Sequence, residues 1–160
     1  MPSVLFVCTG NQFRSPIAAA HFRQLLVSAG REDNWWVGSA GTWAIEGTPS
    51  PAEAIAAAAR LGANLQEHRS RTVSRPLLTD SDLIVVMTSG QREGICLEFP
   101  ETCSRVRLLA ELSGGLPGDV PDPPSAPLQI FEIMQDVCQL VERGFPTIIR
   151  LSEELSEHRS

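Results

Sequence analysis

Cys8 and Arg14 stand six positions apart in the run Cys8-Thr9-Gly10-Asn11-Gln12-Phe13-Arg14-Ser15. The five residues between them can close one turn whose backbone N–H groups converge on a tetrahedral oxyanion. Gly10 is expected to take a conformation there that a Cβ would penalise. Thr9, Gly10, Asn11, Gln12, Phe13, Arg14 and Ser15 are therefore the candidate phosphate-binding residues. Arg14 would grip two equatorial oxygens with its planar fork, a geometry lysine does not offer. The same amides, the following helix and the guanidinium favour the thiolate of Cys8, a competent nucleophile. Ser15 can donate to that sulfur, and Asn11 can hold the loop through side-chain to backbone bonds. The stretch reads as the active site of a phosphatase.

The elements around the loop fit this chemistry. Ser3-Val4-Leu5-Phe6-Val7 is short, β-branched and apolar, as a buried parallel strand should be, and helix formers follow Pro16. The loop thus lies at the carboxyl end of a strand, where open α/β sheets bind ligands and a helix N-terminus offers free N–H groups. Further along, the pattern predicts helix 15–29, strand 34–39, helix 51–61, strand 82–87, helix 89–98, strand 105–109 and a helical region from about 127. Alternating strands and helices predict a doubly wound parallel sheet. The Gly- and Pro-rich loop 112–126 is the natural lid, Gly144 and Pro146 should kink or break the last helix, and the polar tail from Ser152 should fray.

The 160 residues suit one domain, 1–160, large enough to bury a core without disulfides or metal. With 42% hydrophobic and 20% charged residues the chain is globular. No apolar run approaches membrane-spanning length, and the formal charge of −6 disfavours nucleic acid as a partner. No cofactor or metal is implied. Cys96, Cys103 and Cys138 form no Cys-x-x-Cys pattern and read as buried thiols in a reducing, cytoplasmic setting. Trp35 and Trp36, in the second strand, read as packing residues, and Arg69 and Arg71 as a solvated charged face.

The chain resembles the low-molecular-weight protein tyrosine phosphatase family. The matching residues are Ser3-Val4-Leu5-Phe6-Val7-Cys8, Gly10-Asn11, Arg14-Ser15-Pro16-Ile17-Ala18, Ser39-Ala40-Gly41-Thr42, Gly62, His68-Arg69-Ser70-Arg71, Asp82-Leu83-Ile84, Met87 and Asp122-Pro123. The resemblance implies a four-stranded parallel sheet with helices on both faces, and hydrolysis of phosphorylated proteins through a phosphocysteine without metal. It makes Cys8 the nucleophile, Arg14 the phosphate clamp, Ser15 the partner of the thiolate and Asp122 the general acid and base. By composition alone, Asp119-Val120-Pro121-Asp122-Pro123-Pro124 is an ordinary solvated turn, and Asp119 is the fallback for the acid. His68 matches a histidine that supports the loop's Asn and Ser from behind, and Trp43 lies near the family's aromatic wall.

The departures bear on the substrate. Two residues before the signature Arg, tyrosine-specific members carry Ile or Leu, and a phosphoarginine branch carries Thr; here stands Gln12. Aromatic residues that line the slot after Asp-Pro are replaced by Pro124 and Ser125. The substrate pocket is therefore assigned to Gln12, Trp43 and Pro124, which leaves a protein-arginine phosphatase, or a catalytically weak phosphate-binding module, as alternatives. Ser50-Pro51-Ala52 replaces the family's Asp-Pro-Arg, and Met87-Thr88 its Met-Asp. Phe13 stands where many relatives carry a second cysteine able to trap oxidised Cys8.

Overall fold

The computed structural model describes residues 1–114, 118–121 and 127–159. Strand β1, Ser3–Cys8, is followed by α1, Arg14–Ser28, and β2, Trp36–Gly41. After these come α2, Ala52–Arg60, then α3, Arg75–Asp80, and β3, Leu83–Val86. The chain continues through α4, Ser89–Glu98, β4, Val106–Leu108, α5, Leu109–Leu112, and α6, Pro127–Arg159. The four strands form one parallel sheet in the order β2-β1-β3-β4.

β1 is central and all six of its residues are buried, because helices cover both faces of the sheet. Val4, Phe6 and Cys8 point into a core shared with α1, α2, α5 and α6. Leu5 and Val7 point into a second core with Leu78, Ile95 and Phe99. This two-residue alternation delivers Cys8, the last residue of β1, to the sheet's carboxyl edge.

The second strand starts two residues later than its pattern predicts, because Glu32–Asn34 forms a 3₁₀ turn. Trp35 packs edge-on against Phe22, with ring centroids 5.7 Å apart, as expected of a core residue. Helix α3 is not predicted, although Ser74 caps it by accepting from the Leu77 N–H and Pro76 occupies its first turn.

The last helix departs from expectation. It runs unbroken from Pro127 to Arg159 with Pro146 inside it. Gly144 serves close packing: a Cβ there would lie 3.1 Å from the Leu112 carbonyl oxygen and 3.2 Å from Ser113 Oγ. Phe145 meets Phe22 at 5.3 Å, so burial outweighs the weak propensity of this stretch. As far as Arg159 the tail is helical and held by contacts rather than frayed. Ser152 is buried, Arg31 pairs with Glu153, and Arg159 pairs with Asp82 at 2.8 Å and donates to the Thr79 carbonyl.

The cysteine reading also needs correction. Cys96 and Cys103 are joined in a disulfide that ties the end of α4 to the 3₁₀ segment Pro100–Arg105. Both are half-buried rather than fully buried. The inference from unpaired thiols to a reducing compartment fails for this pair. Cys8 and Cys138 are free. No helix among the described residues is long and apolar enough to cross a membrane.

Candidate active site

β1 ends at Cys8 and α1 begins at Arg14, so both lie on rigid elements with the loop Thr9 to Phe13 between them. Cys8 Sγ lies 2.9 Å from Ser15 Oγ and 3.3 Å from the Asn11 amide, which donates to it. Ser15 Oγ accepts from Asn11 Nδ2 at 2.9 Å and also lies 3.3 Å from the Ala40 carbonyl. A hydroxyl has one hydrogen. With the acceptor side taken by Asn11, that hydrogen serves either the sulfur or Ala40, and a thiolate draws it to the sulfur.

The loop's unusual backbone falls one residue later than the sequence indicates. Gly10 is not at positive φ, and a Cβ on it would meet nothing within 4 Å. Asn11 takes the left-handed conformation instead, at φ 57°. Asparagine tolerates this region better than other residues with side chains, and here its amide is fully used. Nδ2 donates to Ser15 Oγ and to Ser39 Oγ at 3.0 Å, while Oδ1 accepts from the Arg71 N–H at 3.0 Å.

His68 meets the same residue, with Nε2 2.8 Å from the Asn11 carbonyl oxygen. Since a carbonyl only accepts, Nε2 carries the hydrogen. Burial lowers the pKa of His68; the bond to Asn11 raises it, and the positive charges of Arg23, Arg71 and Arg69 lower it further. The histidine position suggested by the resemblance is therefore directly behind the loop. Arg71 is not a solvated cation: Nε donates to the Ser39 carbonyl at 3.0 Å and its guanidinium lies 5.7 Å from the Trp36 ring centroid. Arg69 is exposed, as expected.

Two supports escaped the sequence reading. Ser50 Oγ donates to the Gln12 carbonyl at 3.0 Å, so a residue that departs from the family's pattern still braces the loop. Gln91, buried at the start of α4, accepts from the Met87 and Thr88 amides and donates from Nε2 to Thr9 Oγ1 at 3.1 Å. Thr88 and Gln91 form a capping box, and the spacing Thr88-x-x-Gln91 was the available signal.

Arg14 is only 2% exposed, and its Nη1 donates to the Val120 carbonyl at 2.8 Å. Thus the guanidinium is held beside the segment leading to position 122. Asp122 and Pro124 lie outside the described residues, as does part of the 112–126 lid. Gln12 is half-buried, and Phe13 packs against the main core. Trp43 is 85% exposed, while its N–H donates to the Thr9 carbonyl at 3.0 Å, so the indole stands free on a backbone joined to the loop.

A family model described as low molecular weight phosphotyrosine protein phosphatase matches residues 3–160, and the chain belongs to that family. A protein-arginine-phosphatase of Geobacillus stearothermophilus is 31% identical, covering 95% of this chain and 95% of its own. The probable low molecular weight protein-tyrosine-phosphatase EpsP of Ralstonia nicotianae is 32% identical, covering 89% and 90%. The crystal structure of a low molecular weight protein tyrosine phosphatase from T. tengcongensis has a TM-score of 0.84 and 30% identity, covering 92% of this chain and 99% of that one. The chain is a cysteine-dependent, metal-independent phosphatase of this class.

Proposed function

We propose that the chain, acting as one domain, hydrolyses phosphotyrosine in proteins, with Cys8 as nucleophile, Arg14 as phosphate clamp and Asp122 as general acid and base. The carrying observation is the 2.9 Å approach of Cys8 Sγ and Ser15 Oγ under a loop held by Asn11. The sulfur attacks phosphorus, an S–P bond forms as the P–O bond breaks, and the proton of Asp122 passes to the departing phenolate oxygen. Water, deprotonated by the same carboxylate, then attacks the phosphocysteine. Inorganic phosphate leaves and the thiolate returns. Ser15 steadies sulfur as attacking and leaving group. The loop amides, with Arg14, stabilise the equatorial oxygens in the transition state.

The free face of Trp43 supports stacking on a substrate ring. A second reading, phosphoarginine as substrate, is supported by the polar Gln12 and by the similarity to a protein-arginine-phosphatase.

Phosphotyrosine and phosphoarginine peptides should be assayed side by side with chelator, using wild type and Cys8→Ser. Preference for phosphotyrosine, lost in Cys8→Ser, is the expected result. Preference for phosphoarginine would replace it with the second reading. No turnover of either would sink both in favour of a small-molecule substrate or a binding module. Asp122→Asn should slow hydrolysis of a poor leaving group by about two to four orders of magnitude while phosphate still binds.

A further inference from the structure

The segment before Asp122 is fastened at one end. Asp119 Oδ1 accepts from the Ser89 N–H at 2.8 Å, and Oδ2 lies 3.3 Å from Ser89 Oγ. Ser89 is the first residue of α4, and its amide is one of the donors that a helix leaves unsatisfied. Thr88 already serves the Gln91 amide, so Asp119 completes the cap with a carboxylate, the charge a helix N-terminus favours. The next residue is pinned as well. Val120 is buried, and its N–H donates to the Met87 carbonyl at 2.8 Å. On its other side the Val120 carbonyl accepts from Arg14 Nη1, also at 2.8 Å. Gly118 takes φ 134°, a conformation that favours glycine, and Pro121 stiffens the exit.

From this chain of contacts we infer that Asp119 is a positioning residue for the phosphatase reaction: it anchors Val120 through Ser89, and Val120 orients the Arg14 guanidinium. The inference rests on the phosphatase reading and stands against the fallback role of Asp119 as proton donor. Both carboxylate oxygens are engaged by Ser89, and the required property is an accepting oxygen rather than a transferable proton. The segment's anchor lies on the β3–α4 corner that also carries Gln91, which touches Thr9. One corner therefore braces both the phosphate loop and the approach to position 122.

Asp119→Asn and Asp119→Ala separate the roles, because asparagine keeps an oxygen for the Ser89 amide but has no acidic proton. For Asp119→Asn, kcat/KM should stay within about threefold of wild type, because the asparagine oxygen can still accept from the Ser89 N–H. For Asp119→Ala it should fall roughly tenfold on both p-nitrophenyl phosphate and a phosphotyrosine peptide, the loss of one orienting contact. Inorganic phosphate should bind more weakly by a similar factor in calorimetry, and the alkaline limb of the kcat profile should keep its position. Asp119→Glu, which keeps the charge but misplaces it, should change in the same direction as alanine and serves if alanine does not fold.

Equal and large losses in asparagine and alanine, greater for the poorer leaving group, would make Asp119 the donor and overturn the inference. Unchanged phosphate binding in both alanine and glutamate variants would overturn it as well. Calorimetry does not depend on turnover, so an inactive wild type would refute the phosphatase reading while the effect on Arg14 remained measurable.

Discussion

His68 Nε2 donates to the backbone carbonyl of Asn11 across 2.8 Å, and Asn11 is the one non-glycine residue at positive φ among those described. The donor is a neutral imidazole whose pKa is lowered, first by burial. The folded state therefore resists protonation of His68, whereas the unfolded chain takes up that proton near the ordinary value of about 6.5. Between the lowered folded value and that ordinary value, the unfolded chain binds more protons, so stability falls as pH falls. His68→Gln retains a donor but does not titrate. Urea unfolding at pH 7.5 and pH 5 should show a smaller acid loss in the variant than in wild type; equal losses would remove His68 from the account.

Asn11 should be sensitive on two separable grounds. Asn11→Ala loses the side-chain bonds to Ser15, Ser39 and the Arg71 amide, and retains a Cβ in the left-handed region. Three net hydrogen bonds of about 1 kcal/mol each, with backbone strain of about 1 kcal/mol, put the loss at about 4 kcal/mol. Asn11→Gly relieves the strain only and should recover about 1 kcal/mol of it. Denaturant midpoints measure both, and a glycine variant no more stable than alanine would refute the strain component.

These residues also mark how far the sequence could be read. The strand ending at Cys8 and the helix starting at Arg14 were legible because apolar alternation and the Arg-Ser-Pro exit are local signals. Gly10 was the natural choice for a strained backbone, since glycine is the cheapest residue there, but Asn11 holds the position because Ser15 nearby and Ser39, His68 and Arg71 from distant segments satisfy its side-chain amide and backbone carbonyl. Apart from His68, which the resemblance places behind the loop, such long-range partners carry no local signal for this contact. Gln91 and Ser50 reach the loop the same way. The break expected at Gly144 and Pro146 does not occur, because burial of α6 against α1 and α5 overrides the local preference of these residues.

Gly41 is a different constraint, one of space. A Cβ built there would lie 2.3 Å from the Thr9 carbonyl oxygen and 3.1 Å from the Asn11 amide nitrogen, both backbone atoms of the phosphate loop. Neither can move without moving the loop. Gly41→Ala should cost about 1–3 kcal/mol, in the range for overpacking, and should reduce kcat/KM by at least tenfold, a drop larger than its stability loss would cause through unfolding. Wild-type phosphate affinity in a folded Gly41→Ala protein would disprove the steric coupling.

The four cysteines should respond as three kinds. Cys96 and Cys103 close a short loop, separated by seven in sequence, so removing the bond by Cys96→Ser with Cys103→Ser should cost about 2 kcal/mol through the freed unfolded chain. Activity should be retained, because Cys96 lies near the end of α4 and Gln91 and Ser89, which meet the site, near its start. Burial first, then the charge of Glu142, pushes the Cys138 thiol up to about 12, so it should resist iodoacetamide in the native protein at pH 8. Cys8 alone then accounts for inactivation by alkylation. With Phe13 rather than a second cysteine in the loop, and Cys96 and Cys103 bonded to each other, peroxide should carry Cys8 past the sulfenic acid, and thiol treatment should restore little activity. Peptide mapping after peroxide tests this directly: recovery of activity together with a disulfide to Cys8 would show that another cysteine reaches it.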